Sequence, residues 1–276
     1  MSDRLRLTGA FDVLVLMRLR KLRDAIATRV AELLFRAAEA AARVPFAGER
    51  AAADEQTLND LAVFTGLPRK CVAQMVEQRS PTNFRSEWHA TPAELRLDHW
   101  YYLAAKTYLF ANASHFTDDS FAREHVLPHV PDGGSVLDFG GGAGRLSFAL
   151  AERGLAVSYF ELNSLQRDFV RFQVARGNAG ERLRVVDPWE SLPPASFDAI
   201  VAVDVLEHLD DLQSTLDDQL LPALKPTGVI VENSPFVVNV SNPMHHEDFG
   251  FEAHMAAAGY AVVGLGDDGT RTWRRR

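Results

Sequence analysis

The sequence lacks the features that mark secreted, disulfide-bonded and membrane-spanning proteins. It holds one cysteine among 276 residues, Cys71, so an internal disulfide cannot form. The longest apolar run near the N-terminus covers residues 13–17 and stops at Arg18, which is too short for a signal-peptide core or a membrane span. These absences predict a soluble, cytoplasmic protein with no membrane segment.

Positive charge is also scarce over most of the chain. Residues 1–50 hold 10 Lys and Arg against 6 Asp and Glu, whereas the whole chain has a net charge of −8, so the remaining residues carry −12. Because an acidic body repels a polyphosphate backbone, the composition argues against nucleic acid as a partner. A small-molecule substrate fits better, and a hydrophobic content of 47% suffices for one large domain or two modest ones.

Residues 1–115 are expected to form an all-helical domain. The predicted helices cover residues 11–44, 56–64, 68–79 and 91–111. The first is basic and amphipathic, and its apolar stripe is typical of a domain face or a homodimer seam. The short pair around Gly66 resembles a helix-turn-helix but has too few basic residues to favour DNA binding. The histidine and aromatic residues 99–102, with Tyr108, Phe110, His115 and Phe116, are candidates for a lid over a substrate pocket.

From residue 116 onward the pattern changes to short β-rich runs that alternate with helical stretches. The predicted strands cover residues 136–139, 157–160, 183–186, 199–203, 229–231, 261–265 and 270–275. Such alternation is typical of an α/β fold with a doubly wound, mostly parallel sheet. We therefore expect a seven-stranded sheet domain over residues 116–276.

A glycine-dense turn follows the first of these strands. Residues 140–142 and 144 are glycine, which includes a G-x-G-x-G spacing at 140, 142 and 144, and Asp138 stands two residues ahead of it. Glycine lets the backbone approach a ligand closely, and the helix that follows offers free N–H groups, so a nucleotide-like ligand is implied. A dinucleotide fingerprint would need a small residue at Arg145 or Ser147, which disfavours an NAD-dependent reductase.

This spacing resembles motif I of the class I S-adenosylmethionine-dependent methyltransferases, and the resemblance continues from Ser135 to the end of the chain. It implies that Glu161 accepts hydrogen bonds from both ribose hydroxyls of S-adenosylmethionine. Asp187 would take the adenine amino group, with Trp189 able to cover the ring. The expected cofactor-binding set is Asp138, Gly140, Gly142, Gly144, Glu161, Leu162, Asp187, Pro188, Trp189 and Asp204.

A second group of polar residues follows the fourth and fifth strands. Asp204, Glu207 and His208 are spaced to share one face of a helix, and His245 and His246 come later. The pattern resembles two metal-assisted branches of the family, the ubiquinone-pathway O-methyltransferases and the small-RNA 2′-O-methyltransferases, although those relatives usually have Glu in place of Asp204.

Two interpretations of this group stay open. In one, a divalent metal ion binds to Asp204, Glu207, His208 and His245. In the other, which needs no metal, the catalytic residues are Glu207, His208, His245 and His246, and one of the paired histidines is a general base.

The resemblance implies an S-adenosylmethionine-dependent methyltransferase that acts on a small metabolite, and we expect in-line transfer to a hydroxyl. Two alternatives remain open on the same fold. One is an enzyme that uses the cofactor without moving its methyl group, such as a cyclase. The other is a non-catalytic cofactor-binding protein whose N-terminal helices form an interaction module.

Overall fold

The protein is described from a computed structural model. It describes residues 55–77, 105–113, 115–116, 118–177, 179–187, 191–238 and 245–276. The predicted helix over residues 11–44, the first part of the helix over residues 91–111 and the aromatic residues 99–102 lie outside these ranges. Within them, every helix is too short or too polar to cross a bilayer.

The predicted seven-stranded sheet is confirmed. Its strands are β1 (Ser135–Phe139), β2 (Ala156–Phe160), β3 (Leu183–Val185), β4 (Phe197–Val203), β5 (Leu224–Asn233), β6 (Tyr260–Leu265) and β7 (Arg271–Arg275). They lie in the order β3-β2-β1-β4-β5-β7-β6, and the pairings are parallel except those that involve β7. Strands β1 to β3 therefore extend the sheet toward one edge, and the strands from β4 onward extend it toward the other. Open α/β sheets bind ligands at the point where this order reverses, which here lies between β1 and β4.

Helices connect the strands and precede them. They are α1 (Glu55–Thr65), α2 (Arg69–Glu77), α3 (Ala105–Asn112), α4 (Arg145–Glu152), α5 (Ser164–Ala175), α6 (Leu212–Ser214, continued by π-helical Thr215–Leu220 and by Leu221–Ala223) and α7 (Phe251–Ala257). Single turns of 3-10 helix occur at Leu127–His129, Gly180–Arg182 and Leu206–His208, and a π turn at Ala122–Val126. The helix pair that the sequence predicts around Gly66 is present as α1 and α2.

The sheet has an apolar layer on each face, as a parallel sheet requires. Alternate residues of β4 divide between the two layers: Ile200 joins one buried cluster and Val201 the other. The first cluster also contains Trp273 and Phe251, which pack edge to face at 5.7 Å. Because both faces of the central strands are covered, ligands or partners can reach the described part of the sheet at its strand ends and edges.

The described N-terminal helices pack on α5. Phe64 of α1 lies 5.3 Å, centroid to centroid, from the fully buried Phe169. Beside it, Asp60 is fully buried, accepts a hydrogen bond from Gln173 and lies 3.3 Å from the Arg176 guanidinium. Ala143 of the glycine turn belongs to the same cluster, so these helices reach the predicted site.

Candidate active site

Two adjoining cavities open at the carboxyl ends of β1, β2 and β4. The first is lined by Phe139, Gly140, Phe160, Glu161, Leu162, Asp204, Val205, His208 and Leu209. The second is lined by Asn112, His115, Phe116, Asp138, Gly140, Gly141, Gly142, Ala143, Arg145, Leu146, Val203, Asp204 and His208. Gly140, Asp204 and His208 line both, so the cavities meet there.

The glycine turn is shaped by contacts on both of its sides. At Gly140, φ is 74°, and a β-carbon there would lie 2.5 Å from a methyl group of Val205. Gly144 serves a different purpose from the one expected, because it lines neither cavity. A β-carbon at Gly144 would lie 2.6 Å from Val170, so this glycine allows α4 to approach α5.

The Glu161 carboxylate joins the end of β2 to the glycine turn. Its Oε2 accepts a hydrogen bond from the Gly142 amide at 3.0 Å, and its Oε1 accepts one from the Asn163 amide at 2.8 Å. Burial raises the pKa of Glu161, and these amides oppose the shift because they favour the ionised form. A carboxylate offers about four acceptor positions. Those left over can serve a ligand, because Glu161 lines the first cavity.

Asp138 is buried beneath the same turn. Its Oδ2 accepts a hydrogen bond from the Ser147 hydroxyl at 2.6 Å, which ties the end of β1 to the first turn of α4. Burial raises the pKa of Asp138 to about 6, although the Ser147 bond works in the opposite direction. The residue lines the second cavity, where its protonation state affects the charge presented to a ligand.

Of the three residues expected at the adenine, the structure describes Asp187 alone. Asp187 is exposed just after β3 and lines neither cavity. Pro188 and Trp189 lie outside the described residues.

The segment after β4 differs from the helix that the sequence predicts. Asp204 has a left-handed backbone, with φ at 52°, and its amide donates to the Asn233 carbonyl at 2.8 Å. The turn Leu206–His208 is a single 3-10 turn, and α6 begins only at Leu212. Asp204 and His208 nevertheless both line the cavities, because the left-handed residue turns the chain back toward them.

Glu207 is completely buried, and within the described part of the chain neither of its carboxyl oxygens has a hydrogen-bond partner of good geometry. Burial raises the pKa of Glu207 to about 8. The charges of Asp204 and Glu232 add to this shift, whereas the backbone amides of Glu207 and Val205 oppose it. Its Oε1 lies 4.0 Å from Nε2 of His208. An unpartnered buried carboxyl is costly, so a further group that satisfies these oxygens would stabilise the site.

His245 lies beside His208, with the ring centroids 4.7 Å apart and the planes nearly perpendicular. Its Nδ1 is 2.9 Å from the Pro235 carbonyl, which can only accept, so the neutral ring carries its proton there and leaves Nε2 with a free lone pair. Burial lowers the pKa of His245 and favours this neutral form. Ligand atoms of Glu207, His208 and His245 all lie within 4.8 Å of one another, and Asp204 is not part of this close group.

His246 does not face the same cavities as its neighbour. Its Nε2 lies 3.1 Å from the Asp210 carboxylate, and it lines a separate cavity with Phe236 and Phe249. Only its backbone amide reaches the predicted site, donating to the Glu207 carbonyl at 2.7 Å. The expected histidine pair is therefore divided, and His245 alone joins His208.

Two polar residues at the site were not predicted. Asn112, at the end of α3, donates to Gln166 at 3.0 Å and lines the second cavity beside Gly142. Glu232 is buried on β5 and accepts from Arg271 and Trp273 at 2.6 and 2.9 Å. An acid inside the apolar run of β5 is a signal that the sequence offers for Glu232, whereas no pattern singles out Asn112.

Comparisons with known proteins agree with this architecture. A family model described as a methyltransferase domain matches residues 137–230. Ubiquinone biosynthesis O-methyltransferase of Paramagnetospirillum magneticum is 30% identical over 111 residues, which cover 40% of this chain and 44% of that protein. The protein of the same name from Idiomarina loihiensis is 38% identical over 105 residues, covering 36% and 41%. The matches thus span less than half the length of these relatives.

Solved structures resemble the chain more distantly. A SAM-dependent methyltransferase from Aquifex aeolicus has a TM-score of 0.45 at 17% identity, over 56% of this chain and 92% of that one.

Over residues 137–230 the sheet domain matches a methyltransferase domain. Its strand order and glycine turn resemble those of the class I S-adenosylmethionine-dependent methyltransferases.

The burial of Asp138 predicts a pH-dependent stability. Its pKa is about 6 in the folded protein against an ordinary value of 3.8, so the folded state binds more protons between these values and loses stability as pH rises. We expect Asp138→Asn to remove this loss, which amounts to at most about 3 kcal/mol between pH 4 and 7. Urea unfolding across that range measures it, with the exposed Asp132→Asn as the control. A difference between Asp138→Asn and wild type that is independent of pH would contradict the prediction.

Proposed function

We propose that the protein transfers the methyl group of S-adenosylmethionine to a hydroxyl of a small molecule. The observation that carries the proposal is the Glu161 carboxylate, which is fixed by two backbone amides at the edge of a cavity and retains acceptor capacity. Such a group suits the two hydroxyls of a ribose. The names of the relatives favour an oxygen acceptor.

The cofactor would lie across both cavities. Its ribose would bind to Glu161 beside Leu162, and its amino-acid end would pack on Gly140 and Gly142 above Asp138. Asp204 would lie near the methyl group, where the cavities meet. An adenine contact by Asp187, Pro188 and Trp189 is still a sequence-based prediction.

The acceptor would approach from the side of His208 and His245. Because the sulfonium already activates the methyl group, the protein mainly has to align the acceptor, exclude water and remove a proton from the hydroxyl. The neutral His245 ring, with a free lone pair on Nε2, suits proton removal. His246, which the sequence predicts among the catalytic residues, has no place beside the acceptor in this arrangement because its ring faces Asp210.

A divalent metal ion is a second candidate for the same group, and the unpartnered oxygens of Glu207 favour it. A carboxylate and two imidazoles within 4.8 Å form a suitable donor set, which Glu207, His208 and His245 supply. When bound, such an ion lowers the pKa of a coordinated hydroxyl and holds it near the methyl group. Asp204 lies outside this close donor set and would serve it only at longer range.

We also propose that residues 1–115 form a helical domain that covers the site, contributes to dimerisation, or does both. Its described part supports the first role, since Asn112 lines the second cavity and Thr57 accepts a hydrogen bond from Arg145. The acidic composition favours a small molecule over a nucleic acid as the acceptor.

Glu161→Gln should weaken binding of S-adenosylmethionine by roughly 10- to 100-fold, because one of the two acceptor oxygens is replaced by an N–H donor that cannot accept from a ribose hydroxyl. Isothermal titration calorimetry measures this. The exposed Glu181→Gln is a control of the same chemistry. Equal affinities of the two variants for S-adenosylmethionine would show that Glu161 does not bind the ribose.

The adjacent histidines give a matched test of the metal site. His245→Ala should weaken Mn²⁺ binding by at least about 10-fold, whereas His246→Ala should leave it unchanged, because only His245 belongs to the donor set. Calorimetric titration of the apoprotein provides a readout that does not depend on activity. If the wild-type protein binds no Mn²⁺ and is fully active in a chelator, the metal proposal is wrong. His245 would then act as a general base without a metal ion.

Methyl transfer itself is tested with methyl-labelled cofactor and pools of small hydroxylated metabolites, followed by mass spectrometry. We expect a labelled O-methyl product and S-adenosylhomocysteine in equal amounts. Formation of methylthioadenosine would indicate cyclisation instead, and tight cofactor binding without turnover would indicate a binding protein. Either result would overturn the proposed reaction while leaving the cofactor site intact.

A further inference from the structure

Strand β6 forms one edge of the sheet. In the part of the chain that the structure describes, it pairs with β7 alone. The backbone N–H and C=O groups on its other side are therefore available to another strand, which is the arrangement that supports strand addition.

The side chains of β6 do not protect this edge. None of the six residues Tyr260–Leu265 is charged or a proline, and Val262, Val263 and Leu265 are 39%, 50% and 74% exposed. Natural edge strands are usually shortened or guarded by charge. The opposite edge follows that rule, since β3 has only three residues and carries Arg184 at its centre. A register shift between Val262 and Gly264 marks a bulge, which is a feature that protects some edges. Val262, Val263 and Leu265 nevertheless remain exposed around it.

Opposite charges flank the two ends of β6. At its first end, Arg275 pairs with Tyr260 and its guanidinium lies 5.5 Å from the tyrosine ring. The Arg276 amide donates to the Gly259 carbonyl at 2.8 Å, which places a second arginine at the same end. At the other end, Asp267 and Asp268 follow Gly266 in the exposed turn to β7, and Asp268 lies 3.5 Å from the His125 ring nitrogen Nε2.

From this edge we infer a symmetric dimer in which the β6 strands of two copies pair antiparallel. In that arrangement the arginine end of each strand meets the aspartate end of the other, whereas a parallel pair would bring like charges together. Because the dimer is two-fold symmetric, each copy makes the same contact with the other, as closed dimers require. The apolar side chains of the two strands then cover one another, and one sheet continues across both copies.

A single pair of six-residue strands makes a small interface, so association is expected in the micromolar range. Sedimentation equilibrium of the full chain should show a concentration-dependent change from 30.6 kDa toward twice that mass. Val263→Lys should weaken association by at least about 10-fold, because it places two like charges at the centre of the paired strands. Val63→Lys is the matched control, since Val63 is exposed to 58% on α1.

A charge exchange separates this interface from other dimers. Asp267→Arg and Arg276→Asp should each weaken association, and their combination in one chain should restore it. A monomer at all concentrations would overturn the proposal and would indicate that another segment or partner covers the edge. A dimer that Val263→Lys leaves unchanged would overturn it too, and would locate the contact elsewhere.

Discussion

The site depends on one bridging carboxylate, that of Glu161. Because β1 and β2 are parallel neighbours, their carboxyl ends meet at the same edge of the sheet, and Glu161 spans them by accepting from Gly142 of one connection and Asn163 of the other. These bonds hold the glycine turn open above the strand ends. Asp138 and Ser147 reinforce it from below, so the cavity owes its shape to two buried acids rather than to apolar packing.

Burial has opposite uses on the two sides of the site. Glu161 is buried with amide donors that offset its desolvation, whereas neither oxygen of Glu207 has a partner of good geometry among the described residues. The Glu161 carboxylate therefore keeps acceptor positions that a ligand can use. The burial of Glu207 is a local cost to folding that binding of a cation or a proton would relieve.

The sheet was predictable because buried parallel strands are continuous apolar runs that end in acids and glycines. The prediction shortened β5 to residues 229–231, since the sequence from Lys225 to Gly228 reads as a turn, whereas it is a bulge within the strand. The positive φ of Asp204 was not predictable, because a non-glycine residue gives no clear sequence signal for a left-handed backbone. The division of His245 from His246 depends on contacts with Pro235 and Asp210, which are remote in sequence.

Arg145 shows how a departure from one motif can serve another purpose. In dinucleotide-binding folds the third glycine permits close packing of helix on strand. Here Gly144 instead lets α4 approach Val170 of helix α5, and the next residue can carry a long side chain. Arg145 lines the second cavity and donates to Thr57 of α1. The residue that argues against a dinucleotide therefore links the start of α4 to the N-terminal helices, so the position of those helices and the shape of the cavity are set together.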